Sequence, residues 1–164
     1  MKLYFAADHA GFELKNILLA YAREALGAEV EDCGALTYDK DDDYPQFIAD
    51  AARKLAADVA AGVESRAVVI GGSGQGEAIV ANRFKGVRCA LYYGAPSSTQ
   101  KDMSGKELDM LSSTREHNNA NALSLGARFL SVDEAKSALA HWLSTPFPGE
   151  ERHMRRIRAI DTTR

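Results

Sequence analysis

The chain has 164 residues, of which 46% are hydrophobic and 26% charged, and a formal net charge of −3. It is long enough to bury a proper core as one domain, and its balance is that of an ordinary globular protein. The longest apolar runs fall far short of a membrane span, the N-terminus runs straight into strand-like sequence, and the slightly acidic balance argues against a general nucleic-acid binder despite a locally basic C-terminus. A cytoplasmic protein without membrane or nucleic-acid partners is the expectation. Cys33 and Cys89 stand alone in or at the end of apolar runs, which is neither a disulfide framework nor a C-x-x-C zinc site, so both are expected as buried thiols.

Residues 3–7 read as a first strand ending on Asp8-His9-Ala10-Gly11. A helix follows with apolar residues at Leu14, Ile17, Leu18, Tyr21 and Ala25, stopped by Gly27. Residues 29–33 make a second strand and lead into a polar loop rich in Asp from Asp39 to Asp43. Tyr44-Pro45 opens a second helix, with proline in its first turn and the stripe Phe47, Ile48, Ala51, Ala52, Leu55 and Val59. The β-branched run Val68-Val69-Ile70 then passes through Gly71-Gly72-Ser73-Gly74-Gln75-Gly76-Glu77 into a helical pattern over 78–84. Residues 87–92 form a fourth strand, 94–106 a long surface loop, 107–113 a helix, and 122–125 a fifth, short strand. Helices over 132–143 and about 149–162 complete the chain. Strands alternating with helices throughout imply an α/β fold, a three-layer αβα sandwich on a five-stranded parallel sheet, with ligands bound beyond the carboxyl ends of the strands. Asp8-His9, the 71–77 loop and the His117 segment are expected to converge there.

The glycine loop matches none of three familiar phosphate or nucleophile motifs. Counting from Gly72 and Gly74, a dinucleotide fingerprint needs glycine where Glu77 stands; no Gly-Lys-Ser/Thr follows for a Walker A loop; and a nucleophile elbow on Ser73 needs glycine in place of Gln75. What remains is a carboxylate at the mouth of an amide-lined turn. That suits proton abstraction next to a carbonyl, with the amides holding the enolate oxygen. The same glutamate also suits a helix dipole and no chemistry at all. Asp8-His9 is an acid–base pair or a helix cap, and His117-Asn118-Asn119 a titrating ring beside amide donors or a closed turn. Arg152 and Arg156, one turn apart, can grip a phosphate dianion or simply face water, while Met154, Ile157 and Ile160 on another face of that helix favour docking on a second subunit.

Asp8-His9-Ala10-Gly11, Tyr44-Pro45, the 71–77 loop, Arg115-Glu116-His117-Asn118-Asn119-Ala120-Asn121, Gly126-Ala127-Arg128 and Arg152-His153-Met154-Arg155-Arg156-Ile157 occur in one order over nearly the whole chain. Together they resemble the ribose-5-phosphate isomerase B family, which also contains the galactose-6-phosphate isomerase subunits. The resemblance implies a Rossmann-like single sugar-phosphate isomerase domain over 1–164. It also implies a homodimer or dimer of dimers with shared sites, and no metal or cofactor. The chemistry it implies is an aldose–ketose isomerase acting through a cis-enediolate, on D-ribose 5-phosphate and D-ribulose 5-phosphate or on a six- or four-carbon sugar phosphate. A non-catalytic phosphosugar-binding module is the alternative of another class, and a hydrolase built on Ser73 a third.

By the same resemblance Glu77 is the base, in the branch that has glutamate there and no cysteine before the loop. Asp8 and His117 assist ring opening, Ser73 relays protons, and the amides from Gly71, Gly72, Gly74 and Gly76 hold the enediolate. His9, Arg128, Arg152 and Arg156 bind phosphate, and Tyr44 and Asn118 contact the sugar. The 94–110 stretch is longer than that pattern and bears on substrate size.

Overall fold

The computed structural model describes residues 1–98, 100–101, 105 and 107–162. In chain order its elements are β1 (Lys2–Ala7), α1 (Phe12–Glu24), β2 (Glu29–Asp32), α2 (Tyr44–Ala60), β3 (Ser65–Gly71), α3 (Gln75–Ala81), β4 (Cys89–Tyr92), β5 (Gln100–Lys101), β6 (Glu107–Leu108), α4 (Met110–Asn118), β7 (Ala122–Gly126), α5 (Val132–Ser144) and α6 (Glu151–Thr162). Five strands form a parallel sheet in the order β2-β1-β3-β7-β4, a Rossmann-like α/β sandwich.

The central strands are apolar at nearly every position because both of their faces are covered. Leu3, Phe5, Val68, Ile70 and Leu123 point toward α1 and α5, where they meet Leu18, Leu139 and Trp142. Tyr4, Ala6, Ala67 and Val69 point the other way and pack on α2 through Ile48, Ala51, Ala52 and Leu55. That set follows the i, i+3, i+4, i+7 spacing read from the sequence. Each fully buried Leu, Ile or Phe contributes roughly 1.5–3 kcal/mol.

Several boundaries differ from the sequence reading. The fourth strand starts at Cys89, because the Val87 amide closes a turn onto the Phe84 carbonyl and the Arg88 amide is taken by Asn121 Oδ1 at 2.8 Å. Helix α3 occupies Gln75–Ala81, three residues ahead of the expected 78–84. Gly74 (φ 74°) makes the turn directly before it. Glu107–Leu108 is a strand, paired antiparallel with Gln100–Lys101 in a segment read as loop and helix. Thr99, Asp102, Met103, Ser104 and Lys106 of that segment lie outside the described residues. Helix α4 starts at Met110, with the Asp109 side chain accepting from the Ser112 amide at 2.6 Å. It continues to Asn118 and stops where Asn119 turns left-handed (φ 44°).

Sheet order sets where a ligand can sit. From β1 the chain crosses to β2 on one side, whereas β3 lies on the other, so the crevice at the carboxyl ends of β1 and β3 is the topological switch point. No helix among the described residues is long and apolar enough to cross a membrane.

Candidate active site

Asp8 and His9 leave the end of β1, and the 71–77 loop leaves the end of the adjacent β3. Asp8 is buried, and its Oδ1 accepts from the amides of Ala10 at 3.0 Å and Gly11 at 3.3 Å. Gly11 admits no side chain, since a Cβ there would run into the Ile70 carbonyl.

Three glycines of the loop make room for protein side chains rather than leaving empty space. A Cβ on Gly71 would overlap the Glu77 carboxylate, and one on Gly76 the phenol ring of Tyr44. One on Gly72 would press on the Arg128 guanidinium, 3.2 Å from its Cζ. Arg128 is set there by the loop after β7, whose backbone Ala127 N–H and Arg128 N–H donate to the carbonyls of Gly71 and Gly72. Ser73 Oγ accepts weakly from the Gln75 amide at 3.4 Å, which offers it no general base and gives the hydrolase reading no support.

Glu77 is 4% exposed. Burial pushes its carboxyl above the usual value of 4.5, its own backbone amide pulls the other way, and the nearby Asp8 charge adds to the rise. His9 is held by Asp42, whose Oδ1 accepts from the His9 amide at 2.9 Å and lies 2.7 Å from the ring Nδ1. That hydrogen bond raises the imidazole above 6.5. Partial burial and the Arg128 charge oppose the rise, and Asp8 and Asp42 reinforce it. A cationic ring beside a guanidinium suits a phosphate dianion. Asp8, His9 and Asp42 also place ligand atoms within 4.8 Å of one another, but Nδ1 is already engaged by Asp42, which makes this an ion pair by its present geometry.

His117 and Asn118 do not join this crevice within one chain. They end α4 just ahead of β7, at the amino edge of the sheet, whereas Arg128 follows the carboxyl end of that strand. Five residues of strand, about 13 Å, lie between the two edges. His117 instead stacks on His153 of α6, ring centroids 4.6 Å apart and planes 11° from parallel. Arg152 Nε donates to His153 Nε2 at 3.0 Å and is 3.1 Å from Glu150 Oε2. Arg156 lies exposed on the same helix, and Asn118 lines a cavity with Ile160 and Cys89. The expected convergence of the His117 segment with Asp8-His9 and the 71–77 loop is therefore corrected for a single chain, which carries two clusters on opposite edges of the sheet.

The thiols are half-buried rather than fully buried. Burial raises Cys33 to about 11 and Cys89 to about 12, so both stay protonated near neutral pH. Sequence reasoning assigned no role to Asp42, hidden in a run of aspartates, or to His153, whose partner ring is 36 positions away. It also passed over Lys15, whose buried ammonium contacts Asp32 Oδ1 at 2.6 Å and the Ala35 carbonyl.

The Ribose/Galactose Isomerase family model matches residues 3–160. The chain is 40% identical to ribose-5-phosphate isomerase B of Mycobacterium tuberculosis over 157 residues, covering 96% of this chain and 86% of that protein. It is 34% identical to the Escherichia coli protein of the same name over 159 residues, covering 97% and 93%. Among solved structures, ribose-5-phosphate isomerase B of Mycoplasma genitalium with bound ribulose-5-phosphate superposes with a TM-score of 0.81 at 30% identity, covering 98% of this chain and 93% of that one. The Thermotoga maritima enzyme gives 0.78 at 36% identity, covering 99% and 98%. Family match, fold and ordered motifs agree, and the chain belongs to the Ribose/Galactose Isomerase family.

Proposed function

We propose that the protein is an aldose–ketose isomerase that interconverts D-ribose 5-phosphate and D-ribulose 5-phosphate. The observation that carries this reading is the buried Glu77 carboxylate lying against Gly71 at the switch point. Glu77 takes the proton from the carbon next to the carbonyl, the loop amides hold the enediolate oxygen, and the proton returns to the neighbouring carbon. Ser73 relays the hydroxyl proton. Asp8 and His117 open the furanose, Tyr44 and Asn118 contact the sugar, and His9, Arg128, Arg152 and Arg156 hold the phosphate. Because His117, Asn118, Arg152 and Arg156 sit on the far edge of their own sheet, the complete site is formed between two subunits. The exposed Met154 and Ile160 on α6 favour that association. Incubation with pentose and hexose phosphates in deuterated water tests the reaction. Deuterium entering beside the carbonyl, fastest with ribose 5-phosphate, is expected; none with any sugar phosphate would leave only a binding module.

Arg156→Ala is expected to weaken binding of the phosphorylated sugar by roughly 1.5–3 kcal/mol, the worth of a hydrogen bond to a charged group. Unphosphorylated ribose should be nearly indifferent in the same titration, and an equal loss for both ligands would remove Arg156 from the phosphate site.

The pH profile follows from the two displaced groups. Glu77 acts as carboxylate and its pKa is raised, so kcat should fall on an acid limb above 4.5. His9 binds phosphate as the cation and its pKa is raised by Asp42, so kcat/KM should fall on an alkaline limb above 6.5. Asp42→Asn removes the charge that holds the His9 proton. The alkaline limb should then move to lower pH while the acid limb stays, and an unmoved alkaline limb would show that His9 is not its source.

A further inference from the structure

Arg115 is 5% exposed and lies two residues before His117 in α4. Its Nη1 donates to Asn119 Oδ1 at 2.8 Å and to the Ala120 carbonyl, and its Nε donates to the Thr145 carbonyl at 3.2 Å. The first two acceptors belong to the left-handed turn that ends α4. The third is the residue where the chain leaves α5. Thr145 precedes Pro146, which disfavours helical backbone at Thr145 and ends α5 there. Pro148 stiffens the short connection that leads to α6, with its Arg152, His153 and Arg156.

The guanidinium also sits 5.9 Å from the Trp142 ring, and Arg66 lies 5.1 Å from the same ring while donating to the carbonyls of Trp142 and Leu143 at 3.1 Å. These carbonyls belong to the C-terminal end of α5, where cations are favoured. Burial and the neighbouring Arg66 and Arg88 charges lower Arg115 to about 10, which still leaves it cationic near neutral pH. A buried cation of this kind fixes its surroundings only if its donors are satisfied, and here they reach both segments.

We infer that Arg115 is a positioning residue: it ties the end of α4, which carries His117 and Asn118, to the start of the α5–α6 connection, and so sets where the His117 ring stands relative to Arg152 and Arg156. The stacked His117 and His153 rings are the local sign of that register. The inference rests on the isomerase reading for its kinetic consequence, since misplacing positioned groups by about 1 Å costs up to about 10²-fold in rate. Its structural content does not depend on that reading.

Arg115→Lys is the test, because an ammonium keeps the charge but cannot span the three acceptors in the planar fork that arginine provides. In the full-length protein, at a temperature where circular dichroism shows the native fold, KM for ribose 5-phosphate should rise about tenfold. The ring-proton resonances of His117 and His153 should move away from their stacked values. A variant with a lower melting temperature but native KM and native ring shifts would make Arg115 a simple stabiliser and overturn the proposal. Should Arg115→Lys fail to fold, Asn119→Gly decides. Glycine accepts φ 44° and deletes one of the three acceptors, so a smaller change of the same sign in both readouts is expected, and no change overturns the proposal. If the wild-type protein turns over no sugar phosphate, the isomerase reading fails and the ring shifts alone judge Arg115.

Discussion

Glu77→Gln should lower kcat by at least ~10²–10⁴-fold with little change in KM, the worth of a general base removed from a site whose binding contacts survive. Glutamine keeps the shape of the carboxylate that packs over Gly71 and loses its basicity. The neighbours sharpen the expectation. Glu77 lies in a buried position where desolvation raises its proton affinity, which suits a base that must take a proton from carbon near neutral pH. Neither thiol competes, because burial keeps Cys33 and Cys89 protonated. Replacing both cysteines by Ala in a protein that still folds should leave turnover largely intact. Normal turnover in the glutamine variant together with a dead cysteine-free protein would move the base to a thiol.

The largest stability loss is expected at Lys15→Met. The Lys15 side chain is fully buried in α1. Its ammonium is held by both oxygens of Asp32, at 2.6 and 2.7 Å, and by the Ala35 carbonyl. Methionine replaces most of the volume and leaves Asp32 without its cation, while the carbonyl loses its donor. Breaking a buried pair this way costs about 3 kcal/mol, at the low end of the usual range because Asp32 keeps the Gly34 amide and some contact with water. For a domain of this size that lowers Tm by roughly 6–12 °C. Calorimetry of the two proteins side by side checks it, and a Tm unchanged within 2–3 °C would show that the pair is replaceable by an apolar contact. The turn that Lys15 braces leads on to Asp42 and Tyr44, so a fall in affinity for the sugar phosphate should accompany the loss of stability.

The sheet and its two helix layers were legible because their signals are periodic. The run from Val68 to Ile70 is apolar because both faces are covered, and α2 shows its core stripe in the spacing of Ile48, Ala51, Ala52 and Leu55. The hairpin of β5 and β6 was not legible, since two-residue strands have no period to read. Asp8, the glycine loop and Glu77 could be placed in one crevice because Asp8 and the loop directly follow strands and Glu77 comes at the end of that loop. The error at His117 came from applying the same rule to a residue that precedes one. His117 lies five positions before β7 begins, which by itself puts it at the amino edge, so the signal was present in the spacing. Lys15 sat unseen at a polar position beside Leu14 and Leu18. Only the fold reveals that its stem crosses the core to Asp32. Asp42 was masked by three other aspartates in the five-residue run 39–43, and nothing local distinguishes the one that meets His9.

The placement of the base and of His117 on opposite edges of one sheet implies that two inactive proteins can repair one another. In the two-subunit site proposed above, with two-fold symmetry, Glu77 of each subunit would work with His117 of the partner subunit. Mixing Glu77→Gln subunits with His117→Ala subunits gathers both defects into one site of the mixed pair and leaves the other site intact. After unfolding and refolding together, random pairing should return about a quarter of the wild-type activity from two preparations that are each nearly dead. Sites confined to a single chain would return none.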